Sequence, residues 1–415
     1  MSDAAQRPIT AGRSQDGRVI GLIGVAHFTS HFYMLLLPPL FAFIRADYGI
    51  GYAELGLAIS AFNIVSAVLQ TPAGFLVDRI GAPYVLVAGL IVGAGGVALA
   101  ASVPTYWALV GGFAIAGLAN TVYHPADYAI LSHRITGRRV GQAFSIHSCC
   151  GMLGSAAAPT AMLFLADRWG WRAGLLAASL LAVATAALLI AQTQILVDDR
   201  PKVPESSSPA ARAAGTSNWG LLFSRPILRN LMFFVLLAVS GGGMTNFSVV
   251  ALGELYATPL SVANFALSAF LLMNAIGILL GGVIADRTVH HNRVAALGFA
   301  GSAVVVLAVG LSGFGAVALM ALMGIGGLLN GIIVPSRDMM VRAVTPDGAF
   351  GKVFGFVSTG FNLGGIVAPL IFGWLMDQQQ PRAVFLLVVV CILLSLVTVS
   401  TAPQRARPGV AAAEG

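Results

Sequence analysis

Long apolar runs alternate along this chain with short polar breaks, and each run is about as long as a bilayer is thick. A membrane-spanning helix needs about 20 consecutive apolar residues. Reading runs against breaks predicts twelve spans, at 19–45, 53–78, 83–103, 106–131, 140–166, 172–194, 228–255, 261–285, 293–312, 315–341, 350–376 and 382–401. Spanning β-strands alternate apolar with polar side chains, whereas these runs are continuous. The expected fold class is therefore an all-α membrane protein. Between the sixth and seventh runs the pattern stops. Val197-Asp198-Asp199-Arg200-Pro201-Lys202 and Ser206-Ser207-Ser208-Pro209 are polar and rich in Pro and Ser, which reads as a linker. The division is an N-terminal tail (1–18), a six-helix bundle (19–194), a linker (195–227), a second six-helix bundle (228–401) and a C-terminal tail (402–415).

Composition agrees with the pattern. Hydrophobic residues make up 57% of the 415 and charged residues 9%, against roughly 25% charged in soluble domains. Mean hydropathy is +0.87. So few charges cannot coat a soluble globule, which excludes a soluble enzyme, a nucleic-acid partner and a disordered chain. The net charge of +7 matters less than its placement. With the N-terminus inside, only Arg45, Arg168, Arg172 and Arg382 of the 23 Lys and Arg fall in outer segments. Basic residues favour cytosolic loops, so both termini and the linker are expected in the cytosol. Cys149, Cys150 and Cys391 lie in apolar runs and offer neither a disulfide framework nor metal-type spacing. No GxxxxGK[ST] phosphate loop and no local nucleophile signature occurs, so neither ATP use nor enzyme chemistry is expected, and no cofactor.

The two halves repeat. A shift of 210 residues lays Gly117, Leu118, Asn120 and Pro125 on Gly327, Leu328, Asn330 and Pro335. It also lays Gly141, Gly154, Pro159, Asp167 and Arg172 on Gly351, Gly364, Pro369, Asp377 and Arg382. A shift of 208 lays Ser60-Ala61-Phe62, Gly74 and Asp78-Arg79 on Ser268-Ala269-Phe270, Gly282 and Asp286-Arg287. Hydrophobic composition alone would rarely match Asn, Pro, Asp and Arg in order. Six spans per half make parallel repeats about an axis along the membrane normal, an arrangement suited to alternating access around a midplane site.

After the second span, Gly74-Phe75-Leu76-Val77-Asp78-Arg79-Ile80-Gly81 resembles the loop signature of the major facilitator superfamily, and Gly282-Val283-Ile284-Ala285-Asp286-Arg287 is a weaker copy. The resemblance implies the major facilitator fold, with the two bundles rocking across a cavity. Ala82-Pro83 departs from the basic pair usual in that family. More narrowly, Asn120-Thr121-Val122-Tyr123-His124-Pro125 and Trp169-Gly170-Trp171-Arg172 are similar to the fosmidomycin-resistance branch of bacterial exporters. That resemblance implies proton-coupled export of a small polar or anionic compound. Related branches import organic acids or siderophores.

Polar groups inside hydrocarbon are costly and default to functional candidates. His27 and His31, four residues apart, share a face of the first span. His124 lies in the fourth span and His147 in the fifth. The repeat-equivalent positions are Val235, Val239, Val334 and Val357, so one half carries the titratable groups. Imidazole, with an unperturbed pKa of about 6.5, suits proton coupling. A packing histidine bonded to a backbone carbonyl is the bland alternative. Gly117, Asn120, His124 and Asp127 form a polar stripe whose mate reads Gly327, Asn330, Val334 and Arg337. Asp127 and Arg337 are expected either to pair across the cavity as a cytosolic gate or to pair locally, with Arg134 and Asp338. Asp78, Arg79, Asp286 and Arg287 are expected to gate the same side. Asn246 follows Gly241-Gly242-Gly243 at a weak point of the seventh span, and Tyr123 is a candidate substrate contact.

The expected function is a secondary active transporter in a bacterial-type inner membrane, monomeric and surrounded by lipid. Its partners are protons and a small-molecule substrate, which meet His27, His31, Asn120, Tyr123, His124, His147, Asn246 and Asn330. The alternatives are an organic-acid importer and a transition-metal or metal-chelate transporter. The metal reading uses His27, His31, His124 and His147, with Cys149 and Met152 nearby in sequence.

Overall fold

The computed structural model of the protein describes residues 9–135, 139–196, 219–288, 290–344 and 350–400. Most of the expected linker, residues 1–8 of the expected N-terminal tail and the whole expected C-terminal tail lie outside these residues. The described residues form helices and no strand. The helices are α1 (Ile9–Met34), α2 (Tyr52–Ile80), α3 (Ala82–Ser102), α4 (Tyr106–Arg134), α5 (Val140–Trp169) and α6 (Trp171–Ala191) in the first half. In the second half they are α7 (Arg225–Gly242, resuming at Ser248–Tyr256), α8 (Leu260–Arg287), α9 (His291–Leu311), α10 (Ala316–Val344), α11 (Phe350–Asp377) and α12 (Pro381–Ser400). Eleven are long and apolar enough to cross a membrane. A twelfth results when α1 and the stretch Pro38–Tyr48, bent by 42° from it, count as one span. Pro38 and Pro39 cause that break, because proline lacks the N–H and crowds the preceding turn.

One sequence expectation changes here. Helix α1 starts at Ile9, inside the stretch expected to be a tail. Polar contacts hold its early turns: Arg139 Nη1 bonds Asp16 Oδ2 at 2.8 Å and Arg18 Nη2 bonds Gln192 Oε1 at 2.9 Å. A helix does not stop where its apolar stripe stops if its polar residues find partners. The weak point at Gly241-Gly242-Gly243 is a π-helical turn over Gly243–Phe247. Such turns are often found at functional sites. Only glycine fits at Gly243, where a Cβ would come within 2.6 Å of both Phe372 Cζ and Val388 Cγ2.

The repeat is visible in the packing. In the first half α2 and α3 pack on α4; in the second α8 and α9 pack on α10. An added Cβ on Gly117 would strike the Phe62 carbonyl, and one on Gly327 would strike the Phe270 carbonyl. These pairs correspond under the sequence offsets, so the same close helix approach is built twice.

Between the halves, α2 packs on α11 and α5 on α8. One end of these seams is closed. Tyr52 and Ala53, in the first turn of α2, donate their N–H groups to the Asp377 carboxylate at 2.6 and 2.8 Å. Ser60 Oγ donates to the Ile366 carbonyl and Asn63 Nδ2 to the Gly365 carbonyl, both at 2.8 Å. Thr160 and Ser268 hydroxyls meet at 2.9 Å. Orphan N–H groups at a helix start attract a carboxylate, so Asp377 latches α11 to α2. Gly74 and Gly282 lie toward the other ends of α2 and α8. Added Cβ atoms on Gly74 and Gly282 would meet nothing within 4 Å, and Phe75 is 73% exposed.

Replacing Asp377 with Ala should loosen the closed end. The contact is worth about 0.3–1 kcal/mol, or up to ~2 when partly buried, and about 1.4 kcal/mol is tenfold in an equilibrium. Spin-label distances between residues beside Tyr52 and Asp377 should lengthen in a larger fraction of molecules, while thermal stability changes little. Unchanged distance distributions would show that the latch does not hold the seam.

Candidate functional site

Between the two halves lies a cavity of about 580 Å³. Its wall is amide-rich. Asn63 from α2, Asn120 from α4, Asn246 from the α7 turn, Asn274 from α8, Asn330 from α10 and Asn362 from α11 all reach it. Among the described residues no Lys, Arg, Asp or Glu lines it; the titratable lining groups are His31, His124 and Tyr33. The asparagines are fixed in mirrored pairs. Asn120 Nδ2 donates to Ser66 Oγ at 3.3 Å, and Asn274 Nδ2 donates to Asn330 Oδ1 at 3.0 Å. Ser66 and Asn274 correspond under the 208 offset, as Asn120 and Asn330 do under 210.

Behind the histidine wall sits a buried acid–imidazole chain. Asp127 on α4 is fully buried. Its Oδ2 takes His27 Nδ1 from α1 at 3.1 Å and His147 Nε2 from α5 at 3.0 Å. The His27 and His147 rings stack with centroids 3.5 Å apart. In front, His31 lies 4.5 Å and His124 5.1 Å from His27, centroid to centroid. His31 Nδ1 bonds Ser155 Oγ of α5 at 3.2 Å. Gly151 makes this density possible: a Cβ there would sit 2.8 Å from His27 Nε2 and 3.0 Å from His31 Cδ2.

Four imidazoles and one carboxylate thus form one contiguous set, running from the cavity into the first half. With neutral imidazoles the chain His27–Asp127–His147 carries one negative charge, and one added proton makes it neutral.

The sequence-predicted residues divide accordingly. His31, His124, Asn120, Asn246 and Asn330 line the cavity, while His27 and His147 stand behind it. Tyr123 does not reach the cavity. It is buried toward α3, where a Cβ on Gly93 would lie 3.4 Å from its hydroxyl, so its expected substrate contact becomes core packing. The pairing of Asp127 with Arg337, or with Arg134, is corrected too. The Asp127 carboxylate is held inside the first half by two imidazoles, whereas the Arg337 guanidinium lies over Phe234 and Phe361 at 5.0 and 5.3 Å. Helical spacing aligned Asp127 with its stripe but did not show that α1 and α5 close over its last member. Asp78, Arg79 and Arg287 are exposed at the C-terminal ends of α2 and α8; the side chains of Asp286 and Asp338 lie outside the described residues. Cys149 joins no ligand cluster among them.

Asn63, Gln70, Asn274 and Asn362 were missed in the sequence. Asn63, Ser66 and Gln70 are spaced by three and four, the same stripe pattern read on the fourth span. Asn274 was accessible through its offset to Ser66.

The model of the Major Facilitator Superfamily matches residues 23–260 and 231–415. The fosmidomycin resistance protein of Escherichia coli (strain K12) is 21% identical over 402 residues, covering 95% of each chain. The multi-drug resistance efflux pump PmrA of Streptococcus pneumoniae is 24% identical over 374 residues, covering 87% of this chain and 90% of its own. Among solved structures, a bacterial homologue of the human lysosomal transporter Spinster in an inward-facing and unoccupied conformation superposes with a TM-score of 0.78. It is 12% identical and covers 98% of this chain and 100% of its own.

Asp127→Ala would strip the partner from two buried imidazoles, each orphaned donor costing about 1–3 kcal/mol. Its thermal unfolding in detergent should fall by several degrees, while Asp127→Asn, which keeps a carbonyl acceptor, should fall less. Equal stability of the alanine variant and the parent would mean that the chain His27–Asp127–His147 adds nothing to the fold.

Proposed function

Because the chain belongs to the Major Facilitator Superfamily, a family of membrane transporters rather than enzymes, we propose that it exports a small polar or anionic organic compound in exchange for protons. The observation carrying this reading is the position of His31 and His124 on the cavity wall, in contact with the buried His27–Asp127–His147 chain. Neutral imidazoles on the wall hydrogen-bond the compound while the cavity faces the cytosol, and protonation from the outer side displaces it, so compound and proton occupy the wall in turn. The wall amides supply neutral donors and acceptors that orient a polar body. Relatives named for drug resistance and efflux support export; an importer of organic acids is the competing direction.

We place the chain in a bacterial-type inner membrane with both termini in the cytosol, on the Lys and Arg bias of its loops. The C-terminal ends of α2 and α8 then face the cytosol. In this reading helix α2 works as a lever. Its N-terminus is held by Asp377 of α11 at the outer side. Its other end carries Asp78 and Arg79, which engage the second half when the cytosolic side closes, with Asp286 and Arg287 as the repeated pair. The two contacts exclude each other in time, as alternating access requires.

Reconstitution into liposomes tests this. With an imposed pH gradient, flux of an organic anion from a substrate panel should depend on the gradient. His31→Ala and His124→Ala should each cut gradient-driven flux at least tenfold, while exchange of substrate across membranes without a gradient survives in part. Gradient-driven flux at parental rate in the double variant would remove the imidazoles from coupling. Asp78→Asn should slow transport without loss of membrane insertion, and unchanged kinetics there would remove the lever.

A further inference from the structure

We propose that His27, His31 and His124 form a binding site for a divalent transition-metal ion at the cavity wall. This inference rests on the cavity being the transport path but not on which organic compound is carried. One ring nitrogen from each of the three residues lies within 4.8 Å of the other two. Tetrahedral Zn–N bonds of about 2.0–2.1 Å place ligand nitrogens about 3.4 Å apart. Closing on an ion therefore takes side-chain adjustments on the order of 1 Å.

The outer partners of a metal site are already in place. Ligating histidines commonly commit their second ring nitrogen to a carboxylate, carbonyl or similar acceptor, which fixes ring orientation. Here Nδ1 of His27 is held by Asp127, and Nδ1 of His31 by Ser155. Each then has Nε2 left to offer. His31 Nε2 is buried and has no hydrogen-bond partner. That atom is hard to account for as packing, since buried polar atoms normally find a partner. Gly151 keeps side-chain bulk away from His27 Nε2.

The donor set selects the ligand class. Imidazoles suit Zn²⁺, Cu²⁺ and Ni²⁺, and the absence of a clustered thiolate disfavours soft Cu(I). His31 and His124 face the cavity, so the ion enters from there and keeps a coordination position turned toward it. The buried set of His27, Asp127 and His147 also has metal-type spacing, but Asp127 and His147 do not line the cavity and act as the outer support. An ion and a proton need the same nitrogen lone pairs. A metal bound here therefore competes with the proton and blocks coupled flux.

Co²⁺ titration of the purified full-length protein in detergent reports binding independently of transport. One equivalent should bind saturably and give the intense visible absorption of a four- or five-coordinate ion, displaced by Zn²⁺. His31→Gln and His124→Gln should weaken binding at least tenfold, and Asp127→Asn by about 10–100-fold. His133→Gln, at an exposed helix end, should change nothing, and size-exclusion profiles identify variants that fail to fold. Weak octahedral absorption, or binding untouched by His31→Gln in a folded protein, would overturn the site. Co²⁺ binding with no flux of any organic anion would leave the metal site standing and remove the transport reading. Flux without Co²⁺ binding would do the reverse.

Discussion

A carboxylate held away from water by two imidazoles is the interaction on which this structure turns. Asp127 is fully buried in a bundle whose interior is mainly aliphatic and aromatic. An ionised group in such a place needs partners with good geometry, because desolvation is otherwise prohibitive. His27 and His147 supply them from two other helices, so α1, α4 and α5 are tied at one point by polar chemistry. The wall histidines stand on that support. Their positions follow from it: His31 is one turn beyond His27 on α1, and His124 one turn before Asp127 on α4.

The second constraint is that polar backbone inside a membrane must be satisfied within the protein. It explains where the chain breaks. The bend after Met34 and the π turn at Gly243–Phe247 free backbone groups, and both lie beside the cavity or the seam rather than against lipid. The Thr245 hydroxyl returns one bond by donating to the Gly241 carbonyl at 2.9 Å. Irregular backbone is concentrated where water or a cargo can reach it.

Symmetry and asymmetry divide the labour. The close glycine approaches, Gly117 on Phe62 and Gly327 on Phe270, and the mirrored Ser66–Asn120 and Asn274–Asn330 pairs recur in both halves. A repeated scaffold lets one half move against the other without losing its own packing. Among the described residues the imidazole–carboxylate cluster stands in the first half, against valines in the second. The imidazoles therefore stand on one wall, while the other offers neutral amides and the Arg337 guanidinium lies over two aromatic rings.

The helical class, the span positions and the internal repeat were all legible in the sequence. Each depends on a property that acts locally or by counting: the length of apolar runs, the helix-breaking chemistry of Pro38-Pro39, and matched Asn, Pro, Asp and Arg at a fixed offset. The asymmetric histidines were legible for the same reason. Tertiary structure alone decided which way these groups turn. Spacing along α4 put Asn120, His124 and Asp127 on one stripe, yet only the approach of α1 and α5 shows that the stripe passes from open cavity into a sealed interior by its last member. The role of Asp377 was likewise hidden: in sequence it is one acid at a helix end, and it becomes a latch only because α11 brings it to the unpaired N–H groups that begin α2. A partner more than 300 residues away leaves no local trace, since hydrogen bonding depends on distance in space and the chain records only order.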